Sequence, residues 1–107
     1  MANAAPNDPV LGRFRAALHE TFGDRLERIV LFGSRARGDA HADSDYDVAI
    51  FLKSLPDRWA ELDRLAKLRV EFLDETGAFF NAMPYIASAY RERSPLMHEI
   101  RRDGLEL

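Results

Sequence analysis

The sequence predicts an α/β fold, a small mixed β-sheet of three or more strands flanked by helices. Three observations predict it. Two short apolar runs, Ile29-Val-Leu-Phe32 and Val48-Ala-Ile-Phe-Leu52, have the length and composition of buried strands. Longer segments on either side, near residues 8–23 and 57–77, repeat their apolar residues at helical spacing. Glycine and proline stand at the joints between these stretches, at Gly23, Gly33, Gly38, Pro56 and Gly77.

Each element then follows in order. Asp8-Pro9 is a helix start, with Asp8 as N-cap and Pro9 in the first turn. Val10, Leu11, Phe14, Ala17, Leu18 and Phe22 form the apolar face of that helix, and Gly23 stops it. Leu26 to Phe32 is a strand. Gly33 breaks it, Ser34 is the expected N-cap of a short helix, and Gly38 ends that helix. Asp39 to Ser44 is a polar loop, and Asp45 to Leu52 is a second strand with a central strand's composition. A helix is expected from about Asp57 to Glu75. Its apolar stripe would be Trp59, Leu62, Leu65, Ala66, Val70 and Leu73, with Trp59 in the core. Arg58, Glu61, Asp63, Arg64, Lys67, Arg69 and Glu71 would form its solvated face. Ala78 to Ser88 is a third strand candidate, either an edge strand or one that ends at Pro84, because that proline lacks a donor. Ser94-Pro95 starts a last helix with Leu96, Met97 and Ile100 facing inward and Gly104 at its end. Leu105 to Leu107 is too short to place.

The chain of 107 residues fits one domain, residues 1–107, and no internal repeat, linker or low-complexity segment stands out. Apolar content of 47% with 31% charged residues describes a soluble globular protein. A net charge of −3 argues against broad electrostatic binding to nucleic acid, and none is expected. The absence of cysteine excludes disulfides, thiolate chemistry and cysteine-ligated zinc. His19, His41 and His98 lack metal-site spacing. Met1 to Asn7 has no basic start or apolar run, so no signal peptide is expected. No apolar run approaches the ~20 residues that span a bilayer. The expected location is the cytoplasm.

The chemistry concentrates in Gly33-Ser-Arg-Ala-Arg-Gly38 and Ser44-Asp-Tyr-Asp47. Asp45 and Asp47 are two apart, so in an extended segment their side chains leave the same face. Paired hard oxygen ligands on a rigid element suit a metal ion. Aspartate is depleted in strands, and burying such a pair without a cation costs several kcal/mol through desolvation and repulsion. Gly33 and Ser34 stand where a strand gives way to a helix, whose first amides can hold a phosphate. Four fixed residues at this spacing arise by accident in about one chain of this length in a thousand. A phosphate cradle beside a metal pair suggests a nucleoside triphosphate.

Gly33-Ser34 followed by Asp45-Tyr46-Asp47 resembles the fingerprint of the DNA polymerase β-like nucleotidyltransferase superfamily. With Gly33-Ser-Arg-Ala-Arg-Gly38 it looks most like the minimal nucleotidyltransferase branch, many of whose members are antitoxins encoded beside a HEPN-type toxin. The sharp match covers residues 29–52. The resemblance implies that Gly33 and Ser34 hold the β- and γ-phosphates, and that Asp45 and Asp47 are catalytic and ligate Mg²⁺. Arg35 and Arg37 would neutralise the departing pyrophosphate. It implies transfer of AMP from ATP to a hydroxyl of a partner protein, that partner being a HEPN toxin.

One departure stands out. Active members of the superfamily usually carry a third carboxylate on the next core strand, and Gly77 to Tyr85 holds no acid. Asn81 is the candidate for that place, and an amide cannot act as a base. Glu71, Asp74 and Glu75 lie nearby in sequence but on the expected helix. The alternative is therefore a nucleotide-binding antitoxin of weak or no activity that neutralises its partner by occlusion. Phe79, Phe80, Met83, Tyr85 and Tyr90 are candidates for either a partner surface or ordinary core.

Overall fold

A computed structural model describes residues 8–107, so the reading of Met1 to Asn7 lies outside the described residues. Asp8 caps the first helix as expected, its Oδ1 accepting from the amides of Val10 at 3.0 Å and Leu11 at 3.2 Å. Helix α1 (Pro9–Phe22) buries Leu11, Phe14, Leu18 and Phe22. A 3-10 turn at Gly23–Arg25 leads to strand β1 (Leu26–Phe32), the one-turn helix α2 (Ser34–Arg37) and strand β2 (Tyr46–Leu52). Helix α3 (Arg58–Thr76), strand β3 (Phe80–Ile86), a second 3-10 turn, helix α4 (Pro95–Asp103) and the short strand β4 (Leu105–Glu106) complete the chain.

The four strands form one mixed sheet in the order β3-β2-β1-β4. β1 runs antiparallel to both β2 and β4, and β2 runs parallel to β3. The parallel pair requires a crossover, which α3 supplies. β2 is central and β3 an edge strand, the place where the missing donor of Pro84 is tolerated.

Alternation along the strands divides the core in two. On one face, Ile29, Leu31, Tyr46, Val48, Ile50, Phe80 and Ala82 pack beneath α1 and α3. On the other, Val30, Ala49 and Phe51 meet Met97 and Ile100 of α4 and Ala89 of the second 3-10 turn. Asp47 belongs to this second face by its odd position, as does Asn81 opposite it on β3. An aromatic column ties the first face together: the Phe14 and Phe80 rings stack with centroids 3.9 Å apart, and Phe80 and Tyr46 at 4.5 Å.

Several expectations need correction. Helix α3 does not bury the stripe assigned from its sequence: Trp59 is 80% exposed, Val70 66% and Leu73 45%. The buried positions are Glu61, Leu65 and Phe72. Glu61 was expected in water, yet its carboxylate is 3% exposed. It is neutralised there by Arg25, with which it pairs closely, and by Arg64 at 3.1 Å. A paired acid thus takes an inward position that hydrophobicity alone assigns to Trp59, and α3 is turned accordingly. Leu96, expected inside, is 38% exposed.

Gly104 does not end α4 in the left-handed region expected of a terminal glycine; its φ is −71°. It is needed for space. A Cβ there would lie 2.2 Å from the carbonyl oxygen of Ile100 and 2.4 Å from Cγ1 of Val30. This closeness lets the chain turn from α4 straight into β4 alongside β1. Gly104→Ala should therefore destabilise the protein by roughly 1–3 kcal/mol, the usual range for overpacking, measured as a lower urea midpoint with an unchanged m-value.

Candidate active site

Strand pairing joins the two halves of the motif. β1 and β2 are antiparallel with Phe32 opposite Asp47, so the turn leaving β1 lies beside the start of β2. Gly33 has φ 73° and ψ −157°, a region that side-chain-bearing residues avoid. Its missing Cβ is where Asp47 sits: a Cβ at Gly33 would fall 2.3 Å from Asp47 Oδ2. Gly33 is thus required twice, by its backbone and by the carboxylate packed against it.

The turn is tied by its own backbone. The amides of Ala36 and Arg37 both donate to the carbonyl of Gly33 at 3.1 Å, and those of Gly38 and Asp39 donate to Ser34 at 3.0 and 3.1 Å. Gly33, not Ser34, is the N-cap, and no side chain caps α2. Ser34 is instead the first helical residue, so its amide and that of Arg35 have no helical carbonyl to reach. In a helix of one turn the dipole is small. An anion at this place would meet amides and arginines rather than the field of a full helix.

The two arginines differ. Arg35 is committed to the loop before β2: its Nε donates to the Ser44 carbonyl at 2.9 Å and its Nη2 to that of Ala42 at 3.2 Å. Its guanidinium also lies over the Tyr46 ring, 3.9 Å from the centroid. Arg37 has only a 3.4 Å contact to Asp39 and is 42% exposed. It acts on Asp47 through its charge, favouring the ionised carboxylate. Of the two, Arg37 is the cation free to meet a phosphate.

Asp45 lies just outside β2 and is exposed, while Asp47 is half-buried. Burial raises the pKa of Asp47 above its usual value, and the negative charges of Asp45 and Glu99 raise it further. A hydrogen bond from Asn81 Nδ2 to Asp47 Oδ1, at 3.2 Å, works in the opposite direction, as does Arg37. Asn81 therefore occupies the predicted place, opposite Asp47 on β3, as an amide. The acids Glu71, Asp74 and Glu75 remain on α3. Sequence reasoning missed Glu99, which α4 brings to this side of the sheet. Its one signal was its place in an amphipathic helix, between Met97 and Ile100.

Among the described residues no group of three or more acids or histidines could by itself hold a metal. Two carboxylates do suit Mg²⁺, which commonly takes one or two protein carboxylates and completes its shell with substrate phosphates and water. Burial, with the charges of Asp45 and Glu99, disfavours an uncompensated Asp47 carboxylate, which a cation would offset. On the reverse side of β2, Tyr46 donates from its hydroxyl to Asp8 Oδ2. Burial, together with this bond to a carboxylate, pushes the Tyr46 pKa up to about 12. Asp8 thus anchors both the start of α1 and the start of β2. A cavity of about 250 Å³ opens on this side, lined by Val10, Arg35, Asp43, Ser44, Tyr46 and Phe79 among others. None of Gly33, Ser34, Asp45 or Asp47 lines it, so it is separate from the carboxylate site.

Of the late aromatic residues, Phe80 is fully buried, and Tyr85 and Tyr90 pack against Phe51 at 5.6 and 5.3 Å. Phe79 alone of the five is largely exposed, at 41%.

A strand, a glycine turn and two carboxylates at the mouth of the next strand thus stand together at one end of the sheet. Residues 11–95 match the family model for the nucleotidyltransferase domain. The chain belongs to that family. It is 40% identical over 47 residues to "Putative protein adenylyltransferase MJ0141" of Methanocaldococcus jannaschii, covering 44% of this chain and 48% of the relative. It is 41% identical over 71 residues to "Putative protein adenylyltransferase MJ1305" of the same organism, covering 64% and 47% respectively. The chain thus spans about half the length of these relatives. Its fold is shared with a toxin-antitoxin crystal structure holding AMP-PNP, at TM-score 0.58 and 20% identity over 88% of this chain and 69% of that one. It is shared equally with a mutant of the toxin-antitoxin MntA-HpeT, at TM-score 0.60 and 18% identity with the same coverage. The expected α/β nucleotidyltransferase fold and membership of a nucleotidyltransferase family are borne out.

Asp47→Asn should stabilise the metal-free protein at neutral pH. The native state holds the Asp47 proton more tightly than the unfolded chain does, so ionising Asp47 lowers native stability above its raised pKa. Below the ordinary value of 3.8 the carboxyl is protonated in both states and the difference vanishes. Thermal midpoints of both proteins in EDTA, from neutral pH down to below that value, would show the gap closing as pH falls.

Proposed function

We propose that this single domain, residues 1–107, is a Mg²⁺-dependent nucleotidyltransferase of the cytoplasm. It moves AMP from ATP to a hydroxyl of a partner protein, as the antitoxin of a HEPN toxin pair. The observation that carries this reading is the packing of Asp47 against Gly33, which brings a carboxylate against the glycine turn and supports a metal ligand next to a phosphate cradle. The names of the two archaeal relatives support adenylate as the group moved and protein as its acceptor. The toxin-antitoxin neighbours agree with a toxin partner.

In this reading Asp45 and Asp47 hold the metal, and the amides at Gly33 and Ser34 receive the β- and γ-phosphates. Arg37 balances the charge of pyrophosphate as it departs, and Arg35 fixes the loop that presents Asp45. Bound there, Mg²⁺ would supply Lewis-acid polarisation of the α-phosphate and charge neutralisation of the triphosphate. The acceptor oxygen bonds to the α-phosphorus while the bond from that phosphorus to the bridging oxygen of pyrophosphate breaks. Superfamily members with a third acid on β3 pass the acceptor proton to it. Here Asn81 cannot take it, and the proton leaves to water.

The second reading, occlusion of the partner without transfer, is favoured by Asn81 alone. Intact-mass analysis of the protein with its co-purifying partner, with Mg²⁺ and each nucleoside triphosphate in turn, separates the two. Transfer adds the mass of an adenylate to the partner with ATP, and Asp47→Asn abolishes the gain while leaving the complex intact. A partner whose mass never changes supports occlusion. Asn81→Asp would place a carboxylate beside Asp47 and should raise the transfer rate by about a hundredfold or more, the lower end of the usual contribution of a general base.

A further inference from the structure

Helix α3 carries a second apolar face that nothing in the described chain covers. Trp59, Leu62, Ala66, Val70 and Leu73 line it, and Trp59 and Val70 are 80% and 66% exposed. Their spacing is three, four, four and three, the pattern of an eleven-residue repeat. The sequence contains that repeat in plain form. Arg58-Trp-Ala-Glu-Leu-Asp63 returns eleven residues later as Arg69-Val-Glu-Phe-Leu-Asp74, which corrects the reading of the chain as repeat-free.

Each copy of the repeat sets an arginine just before the first apolar residue and an aspartate just after the second. On a helix this puts Arg58 and Arg69 along one edge of the stripe and Asp63 and Asp74 along the other. Among the described residues Arg58, Arg69 and Asp74 form no ion pair, and Asp63 has only a 3.6 Å contact to exposed Lys67. The Nε of Arg69 is buried without an acceptor. Beside it, Ala66, Val70, Leu73 and Phe79 line a groove of about 140 Å³. A contiguous apolar strip of this kind, bordered by unpaired charges, marks an interaction surface on a small protein.

We propose that the strip joins two copies of this chain, α3 lying parallel to α3 about a two-fold axis that runs along the helices. In that arrangement the arginine edge of each helix faces the aspartate edge of the other. Arg58 meets the partner subunit's Asp63, Arg69 meets the partner subunit's Asp74, and symmetry makes each pair twice. An antiparallel pair would set arginine against arginine and aspartate against aspartate, and is disfavoured by like-charge repulsion. The period of 3.67 residues per turn is close to that of a straight α-helix, so the strips stay in contact over the length of α3. α3 covers the sheet face opposite Asp47, so both carboxylate sites stay open in the dimer.

The test is sedimentation velocity of the intact purified chain over a wide concentration range, with the emission of Trp59, its single tryptophan, followed in parallel. The expected result is a monomer–dimer equilibrium in which emission moves to shorter wavelength as dimer forms. Arg69→Asp and Asp74→Arg should each weaken association by about tenfold, since each replaces two attractions by repulsions, and the double exchange should restore it. Asp74 is exposed and Arg69 half-buried, and circular dichroism checks the fold of each variant. A monomer at every concentration, with long-wavelength emission, overturns the proposal. So does a dimer that ignores both charge changes, or one that the double exchange fails to restore. So too does burial of Trp59 only when a different protein is added. Nucleotidyl transfer is not read in these measurements, so their outcome is independent of the function proposed above.

Discussion

The site depends on one close approach. Asp47 Oδ2 occupies the volume that a side chain on the residue after β1 would need. The strand register places the two backbones together, with Phe32 opposite Asp47, and a glycine lets the carboxylate settle into the gap. Everything else supports that contact. Arg35 ties the intervening loop through the carbonyls of Ser44 and Ala42, so that Asp45 is delivered at a fixed point. Tyr46, between the two acids, points the other way and is held by the Arg35 guanidinium, the Phe80 ring and the Asp8 carboxylate. An apolar column rooted at Phe14 thus reaches the residue between the acids, and the rigidity of the core passes to the site through Tyr46.

This arrangement also sets an energetic tension. Asp47 is half-buried beside two other acids and is stabilised by one amide bond and one arginine. Alone it is a liability to the fold; a divalent cation bound there, as proposed above, would compensate its negative charge. Asn81 eases the tension because its amide donates a hydrogen bond where a third carboxylate would add repulsion. Under the function proposed above, the amide that steadies the metal-free protein stands where a carboxylate could have accepted a proton.

Most of the fold was legible because local signals agreed with tertiary needs. Asp8, Asp57 and Ser94 cap the helices assigned to them, and the strands lie where apolar runs stand between glycines and prolines. β4 was illegible because its two residues have no periodicity; its place comes from the tight turn at Gly104. The carboxylates and their relation to Gly33 could be read from spacing. The division of labour between Arg35 and Arg37 could not, since it depends on which backbone carbonyls the loop turns toward them. Glu99 was hidden for a related reason: only the packing of α4 carries it from a distant stretch of sequence to the field of Asp47.

The misreading of α3 has a more instructive cause. Its sequence offers two apolar faces, and hydrophobicity favours the one that holds Trp59 and Val70. The structure buries the other, because Glu61 finds Arg25 and Arg64 there and because Leu65 and Phe72 fit beneath the sheet. A helix that needed one face for its own fold could carry polar residues on the second at no cost to stability. Keeping Trp59, Ala66, Val70 and Leu73 exposed beside a half-buried Leu62, in register with alternate edges of arginine and aspartate, burdens a free monomer with apolar surface in water. That burden is relieved by a surface of the same shape and reversed charge, and the repeat in α3 supplies such a surface in a second copy of the chain.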